Sequence, residues 1–296
     1  MTTSPSTTSA SILPRRFSTL AAKRSTYLLG AILIAIIIVM VLPVLLSFLA
    51  SIKTPEEASA VPPTYIPIHL SLANYAKVFT YQAGLASYVG NSLAVAALTI
   101  FFCLALAIPA AYGLARLQLP GRDLIFLLLL LPLMIPYQAL LTPLYLTFSG
   151  WGLANSYLGL AIIHTILQLP FSVYLLRQNF EAVPREFDEA AMVDGCGELR
   201  MLWSIHLPAV RPAIVTVVLF AFVASWNEFI GALIEMGQES KFTVPIMLVA
   251  VRMGNHGAVD WGALQAGVII SILPCFLIYL LLQKYYVSGL LSGAVK

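Results

Sequence analysis

Six stretches of about 20–25 mostly apolar residues run through this chain, and they constrain its fold more than any other feature. Tyr27 to Ala50 is 24 residues without a charge, and Leu124 to Phe148 is 25 more. A helix of that length crosses a hydrocarbon core of roughly 30 Å. Spans in lipid must satisfy every backbone group internally, so they are helices or a closed barrel. A barrel would alternate apolar and polar residues along each strand, whereas these runs are continuous. Composition agrees: 10% of residues are charged and the mean hydropathy is +0.91, against about a quarter charged in a soluble domain. The expected fold is an all-α polytopic membrane protein with six transmembrane helices.

The order along the chain follows. Residues 1–26 form a Ser/Thr-rich and then basic tail, with Arg15, Arg16, Lys23 and Arg24. The apolar run after it exceeds a signal-peptide core of about 7–15 residues, so it reads as an uncleaved first span. A proline-dotted loop, 51–87, is placed outside. The second span, about Ser92 to Ala115, is expected to break near Pro109, and the third, Leu124 to Phe148, to kink at Pro132, Pro136 and Pro143. The fourth runs from about Tyr157 to Leu176, a polar segment covers 177–212, and the fifth spans about Ala213 to Ile234. An external loop, 235–261, leads to the sixth span, about Gly262 to Leu282, and a tail, 283–296. Residues 27–282 thus form one six-span transmembrane domain. This threading puts 12 Lys/Arg residues in the cytoplasm and four outside, which places both termini inside. The net charge of +3 is too small to argue for nucleic acid. Cys103, Cys196 and Cys275 show no metal-ligand or redox spacing and read as packing residues.

The polar segment has its own local logic. Pro184 suits a first helical turn, and Glu186, Asp188 and Glu189 suit the positive end of the helix dipole. Phe187, Ala190, Ala191 and Asp194 share one face. Gly195 fits a helix stop. Leu199, Leu202, Trp203 and His206 line a second helix that Pro208 ends. Asp194 is a candidate cap for that second helix. A helix-turn-helix DNA reader has the same outline, but here the second helix offers only Arg200 as a base-reading cation.

Glu189, Ala190, Ala191, Asp194, Gly195, Trp203, Ile205, Pro208 and Pro212 occupy the positions of a known pattern. The segment resembles the EAA loop of binding-protein-dependent ABC importer permeases, with Cys196 where alanine is usual and Trp203 where phenylalanine is commoner. Asn91-Ser92-Leu93, Ala111 to Arg116, Met134-Ile135-Pro136, Trp226-Asn227-Glu228-Phe229 and the tail Gly289 to Lys296 look like the carbohydrate-uptake branch. The whole resembles the second permease subunit of maltose-type transporters. The resemblance implies a multi-pass protein of the bacterial cytoplasmic membrane that moves a carbohydrate. It implies as partners a second permease subunit, two ATPase subunits and an external solute-binding protein. It makes the 184–206 helices the coupling element that docks into the ATPase, with Glu189 and Asp188 facing its basic groups and Ala190, Ala191 and Leu202 filling its groove. In the related subunit the C-terminal segment reaches the ATPase interface, and residues 289–296 are expected to do likewise.

No G-x-x-x-x-G-K-[ST] loop is present, so nucleotide belongs to a partner, and the chain is expected to be no enzyme and to hold no cofactor or metal. Glu228 is the one carboxylate well inside an apolar run. A bare charge there costs several kcal/mol, so it should face the bundle interior. Two readings stay open: a polar contact on the substrate path, together with Asn227, Trp226 and Tyr137, or a helix–helix hydrogen bond. His164, alone on its span, is expected to bond between helices. Tyr145, Trp151 and Tyr174 are further aromatics able to stack on a sugar, though most membrane aromatics anchor or pack. The rival classes are an ion-gradient-driven carrier, which would bring more mid-membrane ionisable residues and internal repeats, an importer for a non-sugar solute, and a membrane enzyme, for which no catalytic cluster exists.

Overall fold

The computed structural model describes residues 16–252 and 259–294, and the side chains of 26–252 and 259–284. Arg15, Val295 and Lys296 therefore lie outside the described residues, as do the side chains of Arg16, Lys23 and Arg24 and of the 285–294 tail. In chain order the helices are α1 (Arg16–Ser51), α2 (Pro55–Ala58), α3 (Ala73–Phe79), α4 (Leu85–Arg116), α5 (Arg122–Leu130), α6 (Tyr137–Gly150), α7 (Tyr157–Glu181), α8 (Glu186–Val193), α9 (Glu198–Ala209), α10 (Arg211–Asn227), α11 (Ile230–Glu235), α12 (Val244–Arg252) and α13 (Trp261–Ala294). Within α9, Leu202–His206 is π-helical.

Among the described residues, four helices are each long and apolar enough to cross a membrane: Thr26–Ser51, Leu85–Arg116, Tyr157–Glu181 and Trp261–Lys284. The first is exposed along nearly its whole length and packs chiefly along α13, with its last residue, Ser51, bonded to Tyr75 and Asn74 of α3. A helix apolar on every side and bare of protein cover is one made for lipid.

The proline expectations fared unevenly. α4 passes through Pro109 unbroken, and so does α7 through Pro170. Pro109 lies between Ala107 and Ala111, both fully buried, and close packing on a neighbour holds a helix together across one missing N–H. The third apolar run instead splits into α5 and α6, bent by 99°. Ile135, ahead of Pro136, is extended, as a residue before proline prefers. The fifth run breaks where no proline or glycine marks it: Glu228 is extended and α10 ends at Asn227. The 17 residues of α10 rise only about 25 Å, and α11 begins at Ile230, two residues past Glu228.

α4 and α7 form the most extensive helix pair. Small residues, Cys103, Ala107, Ala111, Ala161 and Ser172, let them approach, and the Cys103 thiol lies 3.0 Å from the Ser172 hydroxyl. Together with α10 they enclose a core at the end that faces α8 and α9, built on Tyr112, Leu176, Phe180, Leu202 and Val217. A second core joins α3, α4, α10, α12 and α13 through Tyr88, Trp226, Met247 and Ala266. The segment read as an external loop, 235–261, thus contains a packed helix, α12, whose Val244, Ile246, Met247 and Val251 are buried. The 51–87 segment is folded as well. Glu57 accepts from the Ile68 and His69 amides and from Thr64, and Lys77 pairs with Asp260 at 2.8 Å.

Candidate functional site

The 184–210 segment folds as two helices joined by a glycine turn. Gly195 has φ +75°. Its N–H donates to Met192 O, and the Cys196 N–H to Ala191 O, at 3.0 and 2.9 Å. These two bonds close the end of α8 as a Schellman motif does. Asp194 makes no cap for α9, whose N-cap is Gly197 without a side-chain bond. α9 also runs one residue past Pro208, to Ala209.

The two helices present one face outward and one inward. Phe187 is 56% exposed, Leu199 76% and Trp203 69%, while Glu189 and Ala190 are open as well. Ala191, Leu202 and His206 turn in and are buried. The expected face Leu199, Leu202, Trp203 and His206 is therefore divided, with Leu199 and Trp203 outward and Leu202 and His206 inward. Ala191 and Leu202, expected to fill a partner's groove, fill this chain's own core instead.

Asp188 also turns inward, against the expectation that it faces a partner's cations. Its Oδ2 accepts from Arg116 Nη1 at 3.1 Å and its Oδ1 from His206 Nε2 at 2.7 Å. The Arg116 side chain is 6% exposed and that of Asp188 17%. Arg116 Nη2 also donates to the Phe180 and Val183 carbonyls at the end of α7. Burial holds the His206 imidazole below its ordinary pKa, against the opposing pull of Asp188. The neutral ring thus carries its proton on Nε2, toward the carboxylate. Four residues before Arg116, the Tyr112 hydroxyl donates to Glu198 Oε2 at 2.9 Å. The rings of Tyr112, Phe180 and His206 meet edge-on, with centroids 5.2–6.0 Å apart. Arg116 drew notice in the sequence only as a basic residue and as part of a motif, and nothing in the local pattern pointed it at Asp188.

The second polar constellation lies at the break between α10 and α11. Glu228 Oε1 accepts from the Gly231 N–H at 2.7 Å and from the Tyr137 hydroxyl at 3.1 Å. Its Oε2 accepts from the Ala232 N–H at 2.8 Å and lies 3.2 Å from His164 Nε2. His164 Nδ1 in turn lies 2.9 Å from Ser225 Oγ. The carboxylate thus caps the otherwise unpaired amides of α11 and joins α6, α7 and α10, and His164 does bond between helices. A Cβ on Gly231 would sit 2.0 Å from the Tyr137 hydroxyl, so only glycine allows this approach. Of the four residues expected along a path, the fold brings Glu228 and Tyr137 together. Trp226 is core: it is 2% exposed, stacks on Phe222 and donates to Ser271 O at 3.1 Å. Asn227 is exposed at the break and bonds only Val223 O, at 2.9 Å, among backbone partners. Trp151 is exposed, and Tyr174 stacks with Phe126.

Residues 104–290 match the family model for binding-protein-dependent transport system inner membrane components. The chain belongs to that family. The match takes in α7 to α11, and so both constellations. Among relatives of this permease family, the chain is 36% identical over 219 residues to a probable ABC transporter permease, YurM, of Bacillus subtilis, covering 74% of this chain and 72% of that one. It is 33% identical over 275 residues to the trehalose/maltose transport system permease protein MalG of Thermococcus litoralis, covering 93% and 97%. A crystal structure of a bacterial ABC transporter that imports the acidic polysaccharide alginate contains a chain with the same fold, at TM-score 0.78 and 21% identity over 94% of this chain and all of that one. The protein is accordingly a multi-pass membrane permease of the ABC importer type.

Proposed function

We propose that this permease forms half of a translocation path for a carbohydrate or glycoside and is driven by ATPase subunits that grip the α8–α9 knuckle. The observation that carries the reading is the knuckle's division. One face is locked to the membrane helices, while the other offers Phe187, Leu199 and Trp203 to a partner. Large exposed apolar side chains on a small rigid element mark a docking surface. The broader machine has a second permease, two ATPase subunits that bind the ATP, and an external solute-binding protein. The relatives named for trehalose/maltose and for alginate support a saccharide cargo.

In this reading six spans cross the membrane: α1, α4, the bent α5–α6 pair, α7, the broken α10–α11 pair and α13. Both termini then lie in the cytoplasm. The folded 51–87 loop and α12 face the binding protein. They enclose a cleft of about 640 Å³ lined by Lys77, Tyr81 and Asp260. The substrate path borders the α10–α11 break. Glu228 holds the break open rather than ligating sugar, because each of its oxygens already has two partners, and Asn227 is the polar side chain left to line the path.

The test is the importer assembled with its neighbouring-gene products in proteoliposomes, assayed for ATP hydrolysis and uptake across a sugar panel. Trp203→Ala together with Phe187→Ala should release the ATPase subunits. Retention of those subunits with normal uptake would remove the docking reading. Uptake that persists without ATP and follows an ion gradient would favour a secondary carrier.

A further inference from the structure

We infer that Asp188, Arg116 and His206 are positioning residues of energy coupling, a clamp that delivers movement of the knuckle to α4. The inference rests on the knuckle being the element the ATPase grips. The chain itself ties the knuckle only to its sequence neighbours: to α7 through residues 182–185 and to α10 through Val210. α4 has no covalent link to it, for 72 positions separate Arg116 from Asp188. The side chains supply one. A single guanidinium reaches the α8 carboxylate, the Phe180 carbonyl in the last turn of α7 and the Val183 carbonyl just beyond it.

The same carboxylate takes the His206 N–H across the glycine turn, so that α8 and α9 move as one piece. His206 is fully buried, and its ring is wedged between Tyr112 of α4 and Phe180 of α7. Tyr112 and Arg116 lie four residues apart, on one face of α4, and Tyr112 holds Glu198 at the start of α9. Both knuckle helices are thereby attached to α4. Because α4 and α7 share the longest packed interface in the fold, a displacement at their ends is carried along both. Arginine suits the post: its planar fork serves several acceptors at once, which a lysine ammonium on a flexible stem does not.

The experiment uses the assembled importer in proteoliposomes with its solute-binding protein, measuring solute taken up per ATP hydrolysed. In Asp188→Asn and in Arg116→Lys the ATPase subunits should stay bound and hydrolysis should continue, while solute per ATP falls at least fivefold. Asp188→Glu, which keeps charge and acceptors, should retain at least half the original ratio. A normal ratio in both Asp188→Asn and Arg116→Lys overturns the clamp. So does release of the ATPase subunits by Asp188→Asn, since Asp188 would then be a docking group. If Asp188→Asn fails to accumulate in the membrane, Arg116→Lys, which keeps the buried charge, decides in the same assay. Trp203→Ala with Phe187→Ala, run in parallel, tests the docking reading separately: intact binding there sinks that reading whatever the clamp variants do.

Discussion

Two carboxylates in this protein each lie against a histidine, and the fold satisfies them by different means. Asp188, in the knuckle, is neutralised by a permanent cation, Arg116, and also takes the His206 N–H. Glu228, at the break in an apolar run, has no Lys or Arg among its partners and relies on two backbone amides, a phenol and an imidazole. The contrast follows from the surroundings. Near the aqueous edge an arginine is inexpensive to place, whereas at mid-membrane a second full charge would add several kcal/mol of its own. Helix amides are dipoles the chain already has, so freeing one turn of a helix supplies donors without a new charge. One carboxylate thereby fastens rigid pieces together, and the other stabilises a discontinuity.

The comparison can be broken most sharply at Gly231. Gly231→Ala drives a methyl into the Tyr137 hydroxyl, 2.0 Å from the ideal Cβ position. Overpacking of this kind costs about 1–3 kcal/mol, and uptake by the assembled importer should fall at least tenfold with the ATPase still bound. Glu228→Gln comes next. Its amide nitrogen would face the Gly231 or Ala232 N–H, donor against donor, so uptake should fall severalfold while ATP hydrolysis persists. Unaltered uptake would show that the break needs no carboxylate.

A weaker effect concerns pH at the knuckle. Because burial lowers the folded-state pKa of His206, the unfolded chain binds a proton that the folded one resists once pH drops below about 6.5. Stability should therefore decline as pH falls from about 7 toward 5 and gain nothing above it. Thermal unfolding in detergent checks this, and His206→Gln should flatten the slope. The smallest effect is expected at Gly195→Ala. Its φ of +75° is strained for a side chain, but the space around it is open. The cost should be about 1–2 kcal/mol, read as a drop of a few degrees in the midpoint.

Much of this was legible in the chain before folding. The 24-residue run from Tyr27 is apolar on every side, and such a run has nowhere to go but lipid. The turn at Gly195 and the helices around it were likewise readable, since capping chemistry is local. Glu228 stood out because charge is rare in such a span, and His164 was rightly expected to bond between helices. Other features were not legible. The 99° bend between α5 and α6 and the unbroken course of α4 through Pro109 involve the same residue type, and only packing on neighbours separates them. α12 was mistaken for loop because its nine residues are too few to span a membrane.

What the sequence determined, then, is the set of apolar spans, the knuckle with its glycine turn, and the family, because each depends on residues near one another along the chain. What only the tertiary structure decided is which way the knuckle residues face. Asp188 and Glu189 are neighbours with the same charge, yet one is bound to α4 and the other is free for a partner. The difference comes from Arg116, 72 positions earlier. A contact at that separation depends on how α4 and α7 pack, and no local periodicity encodes it.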